Sequence, residues 1–361
     1  MNKKLLASSV ALCLAAMAGY ASAGSVELYA RMDMGLNFLH TKDFDGEKQD
    51  ALSLASSQNS TSRFGLKGKE KFDNGMEVGF KLEANVDGDD GKSIKKGRLF
   101  YRESLLYIKG AYGELGMGRM GLIDSGNGTY GLLEDDFVAF GTGWGETLGT
   151  NEYIQMGLQK RTDNVITYKS PKIAGTHFFL QTSLKKDAVD EDYEDDVEGK
   201  SSATRYFGVG AKHENGPFKA FMTVSRNDWG GFDLEDNDGG DDATTVSAGV
   251  MYDFGCINLK GSVQYFDQGY TAGAEGYGYV ISATAPLFGG KALGYVGYTD
   301  AEAIETGEKI ENFMVSAGYE YKLSKTTHVY AGLSYLKQDD PREGDVKAET
   351  IEAMGGLVVK F

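Results

Sequence analysis

Residues 26–38 alternate without a break. Val26, Leu28, Ala30, Met32, Met34, Leu36 and Phe38 share one face, while Glu27, Tyr29, Arg31, Asp33, Gly35 and Asn37 share the other. Successive side chains of a strand point to opposite sides, so this period of two reads as an extended strand. The pattern recurs along the chain. Met76, Val78, Phe80, Leu82, Ala84 and Val86 repeat it, as do Phe313, Val315, Ala317, Tyr319, Tyr321 and Leu323, and finally Leu357, Val359 and Phe361. A soluble β-sandwich also alternates, but the second face here mixes Arg, Lys, Glu and Tyr, too polar for a shared core. An apolar outside and a polar inside require a closed barrel in lipid, where each unpaired backbone group costs several kcal/mol.

The first residues belong to something else. Lys3 and Lys4 precede an apolar run from Leu5 to Ala18 and the small residues Ala21-Ser22-Ala23. A positive start, a short apolar middle and a small-residue site define a secretory signal peptide, expected over residues 1–23. Leu12 is too large for the position before a lipoprotein Cys13. Residues 24–361 then form one pore domain with no Pro/Ser linker dividing it. No later apolar run approaches the roughly 20 residues of a membrane helix, whereas a barrel strand needs only about 9–11 with alternate ones apolar.

Composition excludes other classes. The chain carries a formal net charge of −16 with 53 acidic and 37 basic side chains, the opposite of a nucleic-acid binder. Cys256 alone remains after leader removal, so no internal disulfide can form. His40, His177, His213 and His328 are scattered, with no metal-ligand or triad spacing, and His328 is expected on a lumen wall. No cofactor, metal or catalytic group is expected.

Sixteen strands are expected: 26–38, 60–72, 76–86, 98–109, 113–120, 160–170, 175–186, 203–214, 217–227, 243–254, 257–267, 276–287, 290–299, 311–323, 326–337 and 350–361. An even number suits a single-chain bacterial barrel. Tight turns such as Asp73-Asn74-Gly75 and Asn215-Gly216 alternate with longer polar segments at 39–59, 87–97, 121–159, 187–202, 228–242, 268–275, 300–310 and 338–349. Short periplasmic turns and long extracellular loops produce this rhythm. The predicted fold is an all-β transmembrane antiparallel β-barrel.

The stretches Val26 to Asp33, Ser62 to Glu70, Arg102 to Gly110 with Tyr112-Gly113 and Gly118-Arg119, and Asn164 to Pro171 resemble the Gram-negative general diffusion porins. The similarity is strongest to the betaproteobacterial and neisserial branch, and the terminal Phe361 completes it. It implies a homotrimer in the outer membrane, bordered by lipid and lipopolysaccharide, passing ions and small hydrophilic solutes. It further implies a third loop folded into the pore, and a terminal Phe361 that the assembly machinery reads.

The third loop is the 121–159 segment, whose Phe137, Phe140 and Trp144 argue for packing. It carries Asp124, Glu134, Asp135 and Asp136. The polar face of the early strands offers Arg31, Arg63 and Arg102 with Lys67 and Lys81, and Arg119 and Arg161 border the loop. Acids on one side and arginines on the other would set a transverse field across a weakly charge-selective constriction. The acidic stretches 187–198 and 228–242 read as solvated loops that could bridge divalent ions to lipopolysaccharide. Two alternatives stand beside the diffusion pore: a substrate-specific channel, or a barrel-form enzyme or adhesin.

Overall fold

The computed structural model describes residues 25–92, 97–133, 136–141, 143–149, 151–158, 160–185, 198, 203–228, 242–267, 273–344 and 346–361. The expected leader, Glu134, Asp135 and nearly all of the two acidic stretches lie outside these residues. The elements are β1 (Ser25–Lys42), β2 (Lys48–Ser56), β3 (Arg63–Lys71), β4 (Glu77–Asn85), β5 (Glu103–Gly110) and β6 (Gly113–Gly121). Next come β7 (Arg161–Lys169), β8 (Thr176–Ser183), β9 (Arg205–Asn215), β10 (Phe218–Asp228), β11 (Ala243–Asp253) and β12 (Asn258–Asp267). The last are β13 (Ala274–Leu287), β14 (Gly290–Ala303), β15 (Lys309–Lys322), β16 (Thr327–Asp339) and β17 (Ala348–Lys360).

The strands are antiparallel, and β1 pairs with β17 from Arg31↔Lys360 to Lys42↔Glu349, which closes the barrel. Among the described residues, seventeen strand segments make sixteen staves, because β2 and β3 both pair with the same edge of β1. The upper half of β1 takes β2 from Lys42↔Lys48 to Met34↔Ser56, and the lower half takes β3 from Arg31↔Arg63 to Ser25↔Lys69. The segment 39–59, expected as a loop, is therefore mostly strand. Its polar composition hid the pairing of Leu52 with Phe38 and of Leu54 with Leu36. The 113–120 strand is present as β6. Its pairing with β7 carries a register shift between Gly118 and Met120.

Burial is inverted relative to a soluble protein. Leu28 is 70% exposed and Ile281 65%, while Asp33, Glu103 and Glu352 are each 0% exposed. The apolar face thus points outward, toward lipid, and the polar face inward. Tyr112, Phe254, Phe288 and Phe361 are exposed at the rim of short turns, one of the aromatic girdles that flank such a band. Gly75 and Gly216 take positive φ in the two turns picked out from sequence.

Candidate pore constriction

The chain between β6 and β7, residues 122–160, enters the lumen and lies along its inner wall. On its outward limb, the Ile123 N–H donates to Gln181 Oε1 at 2.9 Å. Farther on, the Ala139 N–H donates to Ser282 Oγ at 3.0 Å, so the limb has crossed from β8 to β13. Phe137 packs against Phe221, Phe140 lies edge-on to Trp144, and Trp144 meets Tyr330. The tip reaches β17, where Glu352 accepts from the Glu146 and Thr147 N–H groups. The loop then returns. Asn312 Nδ2 donates to the Tyr153 carbonyl at 2.8 Å, and the Gly157 N–H donates to Gln264 Oε1 at 2.8 Å.

The loop therefore covers one half of the lumen wall, and the main apolar cluster is built between them. Leu122, Leu132, Phe137, Phe140, Trp144, Leu148 and Ile154 pack with the wall residues Tyr206, Phe221, Val280, Tyr295 and Met314. Inward-phased glycines make room for it. A Cβ at Gly278 would collide with the Ile154 carbonyl, and one at Gly332 with Leu148. These wall glycines were the sequence signal for loop docking. Among alternating polar positions they pass for ordinary pleat residues.

The opposite half stays open. A cavity of about 800 Å³ is bounded there by Arg31, Arg63, Lys81, Arg102 and Arg161, and by Asn59, Ser60, Phe140, Gly143 and Trp144. Lys260, Lys291, Lys322, Lys360 and His328 line its remaining wall, with Glu83 and Glu320 as the carboxylates. Glu83 accepts from Arg102 Nε at 2.6 Å and lies 3.5 Å from Arg63 Nε. Lys81 Nζ pairs with Glu103 at 2.5 Å, and Glu103 also accepts the Thr129 N–H at 2.6 Å. Among the described residues, wall carboxylates thus hold the basic cluster in place.

The expected site residues that lie among the described residues fall into distinct places; Glu134 and Asp135 lie outside them. Arg31, Arg63, Lys81, Arg102 and Arg161 converge on the cavity. Lys67 pairs with Glu27 at 3.1 Å and lines a second recess, together with Ser25 and Lys69. Arg119 is buried beside the cavity, donating to the Tyr101 carbonyl at 2.6 Å and to Asp163 at 2.8 Å. The two described loop acids, Asp124 and Asp136, do not pair with the arginines. Asp124 is fully buried and accepts from the Tyr206 and Ser225 hydroxyls. Asp136 accepts from Lys212 at 2.9 Å and from Lys219 at 2.6 Å. Burial raises the Asp136 carboxyl, but the two ammonium groups outweigh it and hold it below the usual carboxylate range. Both acids fasten the loop to β9 and β10. Sequence spacing could not show which wall they would meet.

A closed barrel, apolar outside, with a cation-lined passage narrowed by its own loop, is a transmembrane diffusion channel. The sequence model for Gram-negative porins matches residues 8–341, and the chain belongs to that family. It is 28% identical over 366 residues to outer membrane porin protein 32 of Delftia acidovorans, covering 98% of this chain and 95% of that one. An outer membrane porin protein of Bordetella pertussis is 27% identical, with 93% and 94% covered. Among solved structures, the anion-selective porin from Comamonas acidovorans superimposes with a TM-score of 0.72 at 26% identity, covering 94% of this chain and 100% of that chain. The trimer form of OmpT of Vibrio cholerae shares the fold, with a TM-score of 0.64 at 16% identity, 94% of this chain and 100% of that chain being covered. The chain is an outer-membrane porin, a multi-pass β-barrel.

Proposed function

We propose that solutes pass between the 122–160 loop and the wall bearing Arg31, Arg63 and Arg102, and that this passage prefers anions. The observation that carries the preference is the charge of the cavity lining: nine Arg and Lys side chains against two carboxylates. Charges that line a narrow, low-dielectric passage act on an ion at short range and are screened less than those outside. The anion-selective structural relative supports the same sign. Glu134 and Asp135 belong to the loop, and their place at the passage rests on the sequence alone.

The active unit is a homotrimer set in outer-membrane lipid and lipopolysaccharide, after removal of residues 1–23. It acts as a channel and not as an enzyme. The test is the zero-current potential across a planar bilayer under a salt gradient. The protein should show anion preference, and replacing Arg31, Arg63 and Arg102 together by Gln should shift the potential toward cations. An unmoved potential in a well-assembled triple variant would place the filter elsewhere.

A further inference from the structure

The pairing of β6 with β7 slips once. Gly118 faces Val165 and Met120 faces Thr162, so Arg119 of β6 stands opposite two residues of β7, Asp163 and Asn164. One residue against two is a β-bulge, which bends the strand and re-aims the side chains beside it. Asn164 absorbs the surplus at a φ of 55°, a conformation that asparagine tolerates better than most residues. The bulge is tied to the end of β8. Leu184 donates its N–H to the Asn164 carbonyl at 3.0 Å, and Ser183 Oγ donates to the Asp163 carbonyl at 2.8 Å. On the β6 side Gly118 takes a φ of 132°, and a Cβ there would collide with the Ser104 carbonyl.

The side chain placed by this bulge is Asp163, and it grips two cations. Its Oδ1 accepts from Arg119 Nη1 at 2.8 Å, and its Oδ2 from Arg98 Nη1 at 2.6 Å. Arg119 passes the hold on. Its Nε donates to the Tyr101 carbonyl at 2.6 Å, and its guanidinium lies 4.7 Å from the centre of the Tyr101 ring, a cation–π contact. Arg98 and Tyr101 belong to residues 97–102, which precede β5 and lie outside any strand. Arg102, the last of them, bounds the cavity, whereas Arg98, Tyr101, Arg119 and Asp163 do not. Glu83 aligns the Arg102 guanidinium, and its carbonyl takes the Arg102 N–H at 3.1 Å. The residues just before Arg102 are held from β7.

We propose that Asp163 is a positioning residue of the selectivity filter. From outside the passage it clamps Arg98 and Arg119, and thereby holds the 97–102 segment where Arg102 meets the passing anion. A carboxylate near a pore ordinarily weakens anion preference, because its charge attracts cations. Asp163 has the opposite effect, since it fixes a cation at the passage. This inference rests on the anion-preferring passage between loop and wall.

The experiment records zero-current potentials of the full chain in planar bilayers under one salt gradient. The parent is compared with Asp163→Ala, Arg102→Gln and the double variant. Removing a negative charge would by itself move the potential toward anions. Because Asp163 acts through Arg102, Asp163→Ala should instead move it toward cations, by a large part of the Arg102→Gln shift. The double variant should shift no further than Arg102→Gln alone, since side chains that act as one unit are not additive. Asp163→Asn, which keeps one acceptor oxygen, should shift the potential in the same direction but less. If Asp163→Ala fails to assemble, Asp163→Asn decides alone and in its own double variant. A shift toward anions, no shift, or additive shifts in the double variant overturns the proposal, provided Arg102→Gln moves the potential, and the passage then stands. If Arg102→Gln itself leaves the potential unmoved, the placement of the filter falls, and the role of Asp163 with it.

Discussion

Glu352 Oε2 accepts the Thr147 N–H at 2.6 Å, so a carboxylate of the last strand grips the tip of a loop that departs more than 200 residues earlier. The Glu146 N–H and the Thr147 hydroxyl converge on the same carboxylate. Hydrogen bonds to a charged group contribute about 1.5–3 kcal/mol each. Replacing Glu352 with Ala leaves two backbone donors without their acceptor inside the barrel. The variant should assemble, yet its single-channel trace should flicker between conductance levels as the tip detaches. Glu352→Gln, which retains an acceptor oxygen, should flicker less. A steady wild-type trace from Glu352→Ala would show that the apolar contacts of Trp144 and Leu148 suffice.

Ion preference should depend on salt. The whole chain carries −16, and acidic stretches in the long loops would concentrate cations on the loop side of the pore. At 0.15 M the Debye length is about 8 Å, so those charges fade before the constriction. Anion preference should therefore hold at physiological salt and decline as salt is lowered. Zero-current potentials measured at fixed concentration ratio across a range of absolute concentrations check this; a preference independent of salt counts against it.

Acid should loosen the loop at Asp136. Its folded-state pKa lies below the ordinary carboxylate value of about 3.9, so the contribution to stability is present above that value and is lost as pH falls through the lowered one. Between pH 5 and 7 the latch to Lys212 and Lys219 should be constant. Below about pH 4, conductance noise should rise in the wild type. Asp136→Asn should show that noise already at neutral pH and respond less to acid, as read from paired recordings at pH 7 and pH 3.

Phe361 and Ala30 exchange two backbone hydrogen bonds, at 2.9 and 3.1 Å, which close the seam at the short-turn rim. The Phe361 ring is 85% exposed, so it contributes little to packing within the chain. Its deletion should cut the amount of folded protein reaching the outer membrane sharply, while barrels refolded in detergent remain close to wild type in heat stability. Equal membrane yields for the deletion and the parent would remove Phe361 as an assembly signal.

The barrel was legible because a lipid-facing wall enforces alternation, and Val26 to Phe38 keep it without exception. Arg31, Arg63 and Arg102 could be placed inward for the same reason, since arginine on the lipid face costs about 2–4 kcal/mol at the bilayer middle. Phe137, Phe140 and Trp144 announced a packed loop. What alternation cannot supply is which stave a loop crosses to. Asp124 and Asp136 were recognised as important acids, but their partners Tyr206, Ser225, Lys212 and Lys219 lie some 75 to 100 positions away. Lys260, Lys291, Lys322 and Lys360 were likewise missed, although they line the cavity, because nothing local links them to the early arginines. The excess of chain at 57–62 had no sequence signal either: a Ser/Asn-rich run looks like any surface loop until the register of β1 shows two residues opposite six.

β17 is the final strand to emerge during synthesis, and it has β1 on one edge and β16 on the other. It also supplies Glu352, the last handhold of the loop. A sheet that zips one residue out of step turns every side chain of that strand to the opposite face. Glu352 would then point at lipid, and the tip of the loop would have nothing to grasp. Narrowing of the channel thus waits on correct completion of the cylinder. The register of the last strand and the anchorage of the loop tip are therefore set by the same pairing.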